Sequence, residues 1–147
     1  MTNKKKLKLG FDIGRINHII SRKMDAAIIN TISDNLTVSQ AYVIDFISMA
    51  GKDKDIFQKD LEMEFDLKRS SVSLMLNNME KHDLIKRVPV AEDARLKKII
   101  LTEKAIELSK KIAIAIDSVE GRLAENLNQD EINTFLNMLK KIRTNIE

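Results

Sequence analysis

Residues 58–87 read QKDLEMEFDLKRSSVSLMLNNMEKHDLIKR, and their periodicity decides the fold. Phe57, Leu61 and Phe65 stand four apart, the spacing of one face of a short helix. Asp66-Leu67 breaks that spacing, and Val72, Met75, Leu76 and Met79 resume it, so two short helices follow one another across a tight turn. Beyond them, LIKRVPV (84–90), polar AEDARLK (91–97) and β-branched KIILT (98–102) read as strand, loop and strand, an antiparallel hairpin with a charged tip. Pro89 fits such a ribbon only at an edge or exposed position, because it has no N–H to give a neighbouring strand.

Upstream, LTVSQAYVIDFI (36–47) opens with Thr37 and has Gln40 three residues on, a capping-box signature, and Gly51 stands where a helix C-cap favours glycine. A helix from Val38 to Ala50 is predicted, followed by a KDKD loop. From Phe11 to about Thr31, Ile13, Ile16, Ile20, Met24 and Ala27 recur at three- or four-residue steps, the stripe of an amphipathic helix. Downstream, Thr102 is a plausible N-cap, and Ala105, Leu108, Ile112, Ala115, Val119, Leu123 and Leu127 step through a helix from Glu103 to Leu127. Its length of about 37 Å exceeds what so small a core needs. Asn128, with Glu131 three residues later, caps a last helix expected to bury Ile132, Phe135, Leu139, Ile142 and Ile146. These flanking stripes predict a second packing unit shared between two chains.

The fold class is therefore mainly α with a small β-hairpin wing: a winged helix-turn-helix with N- and C-terminal dimerisation helices. One domain over 1–147 is expected, with a DNA-binding lobe at about 36–102 and a helical dimerisation region at about 7–31 and 103–147. In a winged helix-turn-helix the second short helix enters the major groove, and the ribbon tip reaches an adjacent minor groove or phosphates.

Composition narrows the function. At 147 residues and 44% apolar the chain can build one core, and with Pro 1 and Gly 4 it is too poor in turn formers for an all-β fold. The absence of cysteine excludes disulfides, thiolate metal sites, thiol nucleophiles and redox switches. Apolar runs fall short of the ~18 residues that span a bilayer, and the opening MTNKKKLKLG lacks the apolar stretch of a signal peptide, so no membrane partner and a cytoplasmic location are expected. No G-x-S-x-G, P-loop, H-E-x-x-H or dinucleotide fingerprint occurs, so the chain reads as no enzyme and as needing no cofactor or metal. His18 and His82 read as surface histidines.

Charge is more telling. Residues 68–98 hold Lys68, Arg69, Lys81, Lys86, Arg87, Arg95, Lys97 and Lys98 against Glu80, Asp83, Glu92 and Asp93, eight cations to four anions, in a chain of net charge +3. The remainder is therefore slightly acidic, and the whole positive excess sits on one anion-binding segment. Lys4, Lys5, Lys6 and Lys8 form a second basic cluster, read mainly as a frayed terminus. With Val72, Leu76 and Met79 inward, Lys68, Arg69, Ser70, Ser71, Ser73, Asn77 and part of Leu74 point elsewhere, offering groups that bond bases or phosphates. Ser70 and Ser71 lie near free backbone N–H groups that can hold a phosphate, or else simply cap the helix. In the ribbon tip, Arg95 suits the negative potential of a narrow minor groove, while Asp93 either holds its guanidinium or braces the turn.

The stretches LTVSQAYVIDFI, QKDLEMEFDLKRSSVSLMLNNMEKHDLIKR and AEDARLKKIILTEKA, in this order and spacing, resemble the MarR-type winged-helix regulators of bacteria. The resemblance covers nearly the whole chain, and the D-x-R wing leading into L-T is its most specific part. It implies a homodimer that presents two winged helices to a pseudo-palindromic duplex and represses transcription, commonly until a small, frequently phenolic or anionic ligand releases it. The family's recognition-helix positions fall on Lys68, Arg69, Ser70, Ser71, Ser73, Leu74, Asn77 and Asn78, its wing arginine on Arg95 with Asp93 behind it, and a phosphate-reaching basic position on Arg87. The neighbouring Lys97 and Lys98 extend the basic wing. Asn17, His18, Arg22, Tyr42 and Asp45 can line a ligand pocket between the first, second and fifth helices, or can serve core packing.

Three departures stand out. Asp66 and Asp83 occupy turn positions where the family commonly has glycine, and aspartate tolerates left-handed backbone better than most residues. Leu74 replaces a frequent arginine and can touch a thymine methyl instead. Without cysteine the family's oxidation-sensing chemistry is excluded. The alternative reading is a helical winged-domain adaptor that binds another protein, which leaves the localised charge and the D-x-R wing unused.

Overall fold

In the computed structural model, residues 6–32 and 36–147 are described; Lys4 and Lys5 of the N-terminal lysine cluster lie outside them. Thr37 Oγ1 accepts from the Gln40 N–H and Gln40 Oε1 accepts from the Thr37 N–H, both at 3.1 Å, and this reciprocal cap starts helix α2 (Val38–Ala50). It follows α1 (Leu9–Thr31) and precedes α3 (Gln58–Glu64) and α4 (Arg69–Lys81). The wing is β1 (Ile85–Val90) and β2 (Asp93–Leu101), and α5 (Glu103–Leu123) and α6 (Gln129–Ile146) complete the chain. Among the described residues no helix is long and apolar enough to cross a membrane.

One core joins these elements. Ala41, Val43, Ile44 and Ile47 of α2 meet Met24 and Ile28 of α1, Val72, Leu76 and Met79 of α4, and Ala105, Ile112 and Ala115 of α5. Left-handed aspartates make the turns on both sides of α4, as expected: φ is 49° at Asp66, in the helix-turn-helix corner, and 57° at Asp83, before the wing. Such a conformation strains most residues by about 1–2 kcal/mol but is milder for Asp and Asn.

The wing corrects one expectation. AEDARLK was expected as a loop, yet β2 begins at Asp93 and only Ala91 and Glu92 turn the hairpin. An irregularity between Pro89 and Val90 shifts the register, so that Pro89 pairs with Lys97 while Val90 pairs with Asp93, which carries the ribbon past its charged residues. Polar composition there reports a strand in solvent rather than a loop. The Ile99 N–H donates to the Ile56 carbonyl at 2.7 Å, covering the side of β2 away from β1; Pro89 sits in β1, whose sheet partner among the described residues is β2.

One further expectation is corrected in the C-terminal third. The long helix stops at Leu123, not Leu127, because the chain turns through Asn126 at φ 64°. The last helix starts at the Asn128–Glu131 capping box as expected, and its stripe, expected to pack in a unit shared between two chains, is left largely open by one: Ile132 and Ile142 are half-buried, and Phe135, Leu139 and Ile146 are exposed. In α1, Ile13 and Ile16 are also exposed, while Met24 and Ile28 carry the burial. Periodicity shows that a helix has an apolar face, and not what covers it.

Thr102 locks the lobe to α5. Its buried hydroxyl donates to the Asp83 carbonyl at 2.7 Å and accepts from the Ala105 N–H at 3.2 Å, and its own N–H donates to the Leu84 carbonyl at 3.1 Å. One side chain thus fixes the turn after α4, the end of the wing and the start of α5. Thr102→Val keeps the shape and removes the hydroxyl; a loss of about 1–3 kcal/mol is expected as a lower urea midpoint at unchanged slope, with Thr102→Ser close to the native value.

Candidate nucleic-acid interface

Helix α4 is amphipathic by construction: Val72, Leu76 and Met79 are 0% exposed, and the opposite face is left to solvent. Its N-cap, Lys68, is extended and makes no side-chain cap, and the first backbone bond back into the helix is from the Val72 N–H to the Lys68 carbonyl. Ser70 and Ser71 therefore do not cap the helix. They stand exposed in its first turn beside backbone N–H groups that have no intrahelical partner, where a phosphate is favoured by both the donors and the helix dipole. Lys68, Arg69, Asn77 and Asn78 are exposed too, Ser73 is half-buried, and Leu74 is 73% exposed, an apolar contact surface among polar ones.

Three side chains from outside α4 hold this face. Gln58 Nε2 donates to Ser73 Oγ at 2.8 Å, Gln40 Nε2 to Asn78 Oδ1 at 2.8 Å, and Arg87 Nη2 to Asn77 Oδ1 at 2.6 Å. Arg87 is half-buried, with Nε at 3.6 Å from Glu80 Oε2, so its guanidinium is turned onto α4. In the wing tip, Asp93 Oδ1 accepts from the Arg95 N–H at 2.9 Å. Of its two candidate roles, Asp93 braces the turn, and Arg95 makes no ion pair among the described residues.

Between α3, α4 and the wing lies an open cavity of about 570 Å³ into which Lys59, Arg69, Arg87, Arg95 and Lys97 converge against one acid, Glu62. Strand alternation separates the two wing lysines. Lys97 lines this cavity, whereas Lys98 lies on the other face, its Nζ 3.5 Å from Asp55 Oδ1. Gln58 and Lys59 were missed in the sequence. With Phe57 and Leu61 inward, Lys59 falls on the opposite side of α3, which its exposure bears out, whereas Gln58 flanks the inward face and is half-buried.

A model of the MarR family matches residues 34–96. The transcription regulator MarR from Oenococcus oeni PSU-1 is 30% identical over 93% of this chain and 99% of its own, with a TM-score of 0.81. The chain belongs to the MarR family. Its shape is also that of MepR from S. aureus in a MepR–DNA complex, at 22% identity, 98% and 100% coverage and a TM-score of 0.86. Membership makes this MarR protein a winged helix-turn-helix, DNA-binding transcriptional regulator and not an enzyme. Among the described residues no three His, Asp or Glu side chains gather to hold a metal ion. His18 is exposed on α1, and His82 ends α4 with Nδ1 2.8 Å from the Asn78 carbonyl.

The five residues suggested for a ligand pocket are not brought together within one chain of this MarR regulator. Tyr42 and Asp45, half-buried on α2, line an open groove of about 480 Å³ with Phe46, Met49, Asp53, Glu64 and Phe65; Asn17, His18 and Arg22 are exposed on α1 and do not line it. Burial, and then the charge of Asp117 on α5, raise the Asp45 carboxyl above the usual range; burial, Glu120 and Asp45 raise the Tyr42 hydroxyl. A raised carboxyl binds its proton more tightly in the folded state, so its contribution to stability falls as pH rises from the unfolded value through the folded one. Asp45→Asn is expected to raise the urea midpoint at pH 7, with the gain shrinking towards pH 4, in parallel denaturations.

Proposed function

We propose that this MarR regulator is a homodimeric repressor that grips a pseudo-palindromic duplex through α4 and the wing of each protomer and releases it on binding a small ligand. The observation that carries the proposal is the convergence of Lys59, Arg69, Arg87, Arg95 and Lys97 on the cavity between recognition helix and wing. Phosphate contacts need cations held together along a groove edge, and these come from four elements, α3, α4, β1 and β2. With α4 in a major groove, Ser70, Ser71, Leu74, Asn77 and Asn78 face bases or phosphates, and Arg95 reaches the neighbouring minor groove.

The second copy is supported by the apolar faces a single chain leaves uncovered. Phe11 and Ile16 of α1, Leu127, and Phe135, Leu139 and Ile146 of α6 are all exposed, and they flank the lobe at both ends of the sequence. Covering them with the same faces of a second copy gives a closed two-fold assembly, whose symmetry a palindromic site mirrors. The groove beside Tyr42 and Asp45 supports the ligand-responsive part: its size suits a small molecule, and its acids, with no Lys or Arg in the wall, favour a neutral or cationic aromatic over an anion.

Fluorescence anisotropy tests the proposal, using a duplex from the region upstream of the protein's own coding sequence and a scrambled duplex across a salt series. If each protomer neutralises about four phosphates, the log–log slope is near −7 by the rule of ~0.9 per contact, with tighter binding to the native duplex. Arg95→Glu is expected to abolish binding while the dimer persists in sedimentation. A slope near zero, or binding indifferent to Arg95→Glu, contradicts the proposal and favours an adaptor that recognises protein.

A further inference from the structure

The three clamps on α4 have a chemical direction. Arg87 is a donor without acceptor capacity, so the atom of Asn77 that faces it at 2.6 Å is the oxygen, and the Asn77 amide nitrogen is left to face outward. Gln40 is fixed at its other end: its Oε1 accepts from the Thr37 N–H, so its Nε2 meets Asn78 and takes that residue's oxygen. Gln58 Nε2 points at the Arg69 carbonyl at 3.4 Å as well as at Ser73 Oγ at 2.8 Å, and a carbonyl only accepts, so Ser73 accepts from Gln58 and its hydroxyl hydrogen is free for another partner. In each case a neighbouring element engages the acceptor and leaves a donor.

We infer that Arg87, Gln40 and Gln58 are positioning residues that turn donors of Asn77, Asn78 and Ser73 towards the duplex, so that Asn77 selects guanine or thymine over adenine. The inference rests on the DNA-binding reading and adds a specificity to it. Recognition of adenine by asparagine is bidentate and needs the amide oxygen to accept from the adenine N6 amino group while the nitrogen donates to N7. Oδ1 keeps a second lone pair, but its bond to Arg87 turns the oxygen towards the wing, so oxygen and nitrogen do not both meet the adenine edge. Guanine offers O6 and N7 and thymine offers O4, all acceptors; adenine offers N7 but sets its N6 donor beside it against a nitrogen that only donates, and cytosine offers only its N4 donor. Lys68 and Arg69 at the start of this face also only donate, while the Ser70 and Ser71 hydroxyls donate and accept. Glu80, 3.6 Å from Arg87 Nε, holds the guanidinium against α4.

Selection from a library of randomised duplexes, with the full chain and its Asn77→Ala, Arg87→Ala and Arg87→Lys variants, tests this directly. The native protein should enrich guanine or thymine at the position whose preference disappears in Asn77→Ala, and Asn77→Ala should bind the selected site about 5- to 150-fold more weakly. Arg87→Ala should admit adenine at that position, because the freed amide can rotate; Arg87→Lys, still a donor-only group, should keep the native preference. A purely structural Arg87 would weaken binding to all sequences without changing the base selected. Adenine at the Asn77-dependent position of the native site, no Asn77-dependent position, or an unchanged preference in Arg87→Ala overturns the inference while leaving DNA binding intact. If Arg87→Ala loses all binding, the native and Asn77→Ala selections still decide between guanine or thymine and adenine. Enrichment of no sequence by the native protein overturns the DNA-binding reading and this inference with it.

Discussion

Complete burial of Val72, Leu76 and Met79 is the constraint on which the rest of the molecule depends. Each side chain contributes about 1.5–3 kcal/mol through the apolar surface it removes from water, and together they fix the rotation of α4 about its own axis. That rotation decides which residues can meet a duplex. Ser70, Leu74 and Asn77 are outward because the other face is occupied, and a one-residue slip would expose the core residues and bury polar ones. The left-handed aspartates at either end of α4, Asp66 and Asp83, and the Thr102 hydroxyl bonded to the Asp83 carbonyl, hold the helix in place along its length.

Around that fixed helix the charge is arranged by strand and helix periodicity. Arg95 and Lys97 share one face of β2 with the cavity beside α4, Lys98 takes the other, and Lys59 and Arg69 enter from two helices. Concentrating cations costs self-repulsion, which Glu62 in the cavity wall and Glu80 beside Arg87 partly offset. The Asp45, Asp117 and Glu120 carboxylates gather on the α2–α5 side of the protomer, so the molecule presents acid and base on different surfaces.

Much of this was legible in the residues because local rules and global fold agree. The Thr37–Gln40 and Asn128–Glu131 capping boxes, the tandem periodicity across Asp66-Leu67 and the Thr102 N-cap each marked an element boundary, since capping chemistry is short-range. The failures have physical causes. The wing strand was read too short because a ribbon open to solvent has no apolar face to alternate, and the Pro89–Val90 irregularity leaves no compositional mark. α5 was read too long because Leu123 and Leu127 keep the apolar period into a turn. The stripe of α6 is expected to pack in a unit shared between two chains, and among the described residues of one chain it stays largely open. In the site, sequence placed the outward face of α4 but not the clamps from Gln40, Gln58 and Arg87, which join residues far apart along the chain. No single-sequence period reports such contacts.

The most direct measurement is footprinting of a bound duplex, with dimethyl sulfate reporting major-groove guanine N7 and hydroxyl radicals reporting the minor groove and backbone. Two protected major-groove segments about 10 base pairs apart are expected, each flanked by minor-groove protection that Arg95→Ala removes. Uniform weak protection that follows no groove, or minor-groove protection that survives Arg95→Ala, would contradict a recognition helix and wing presented as a unit.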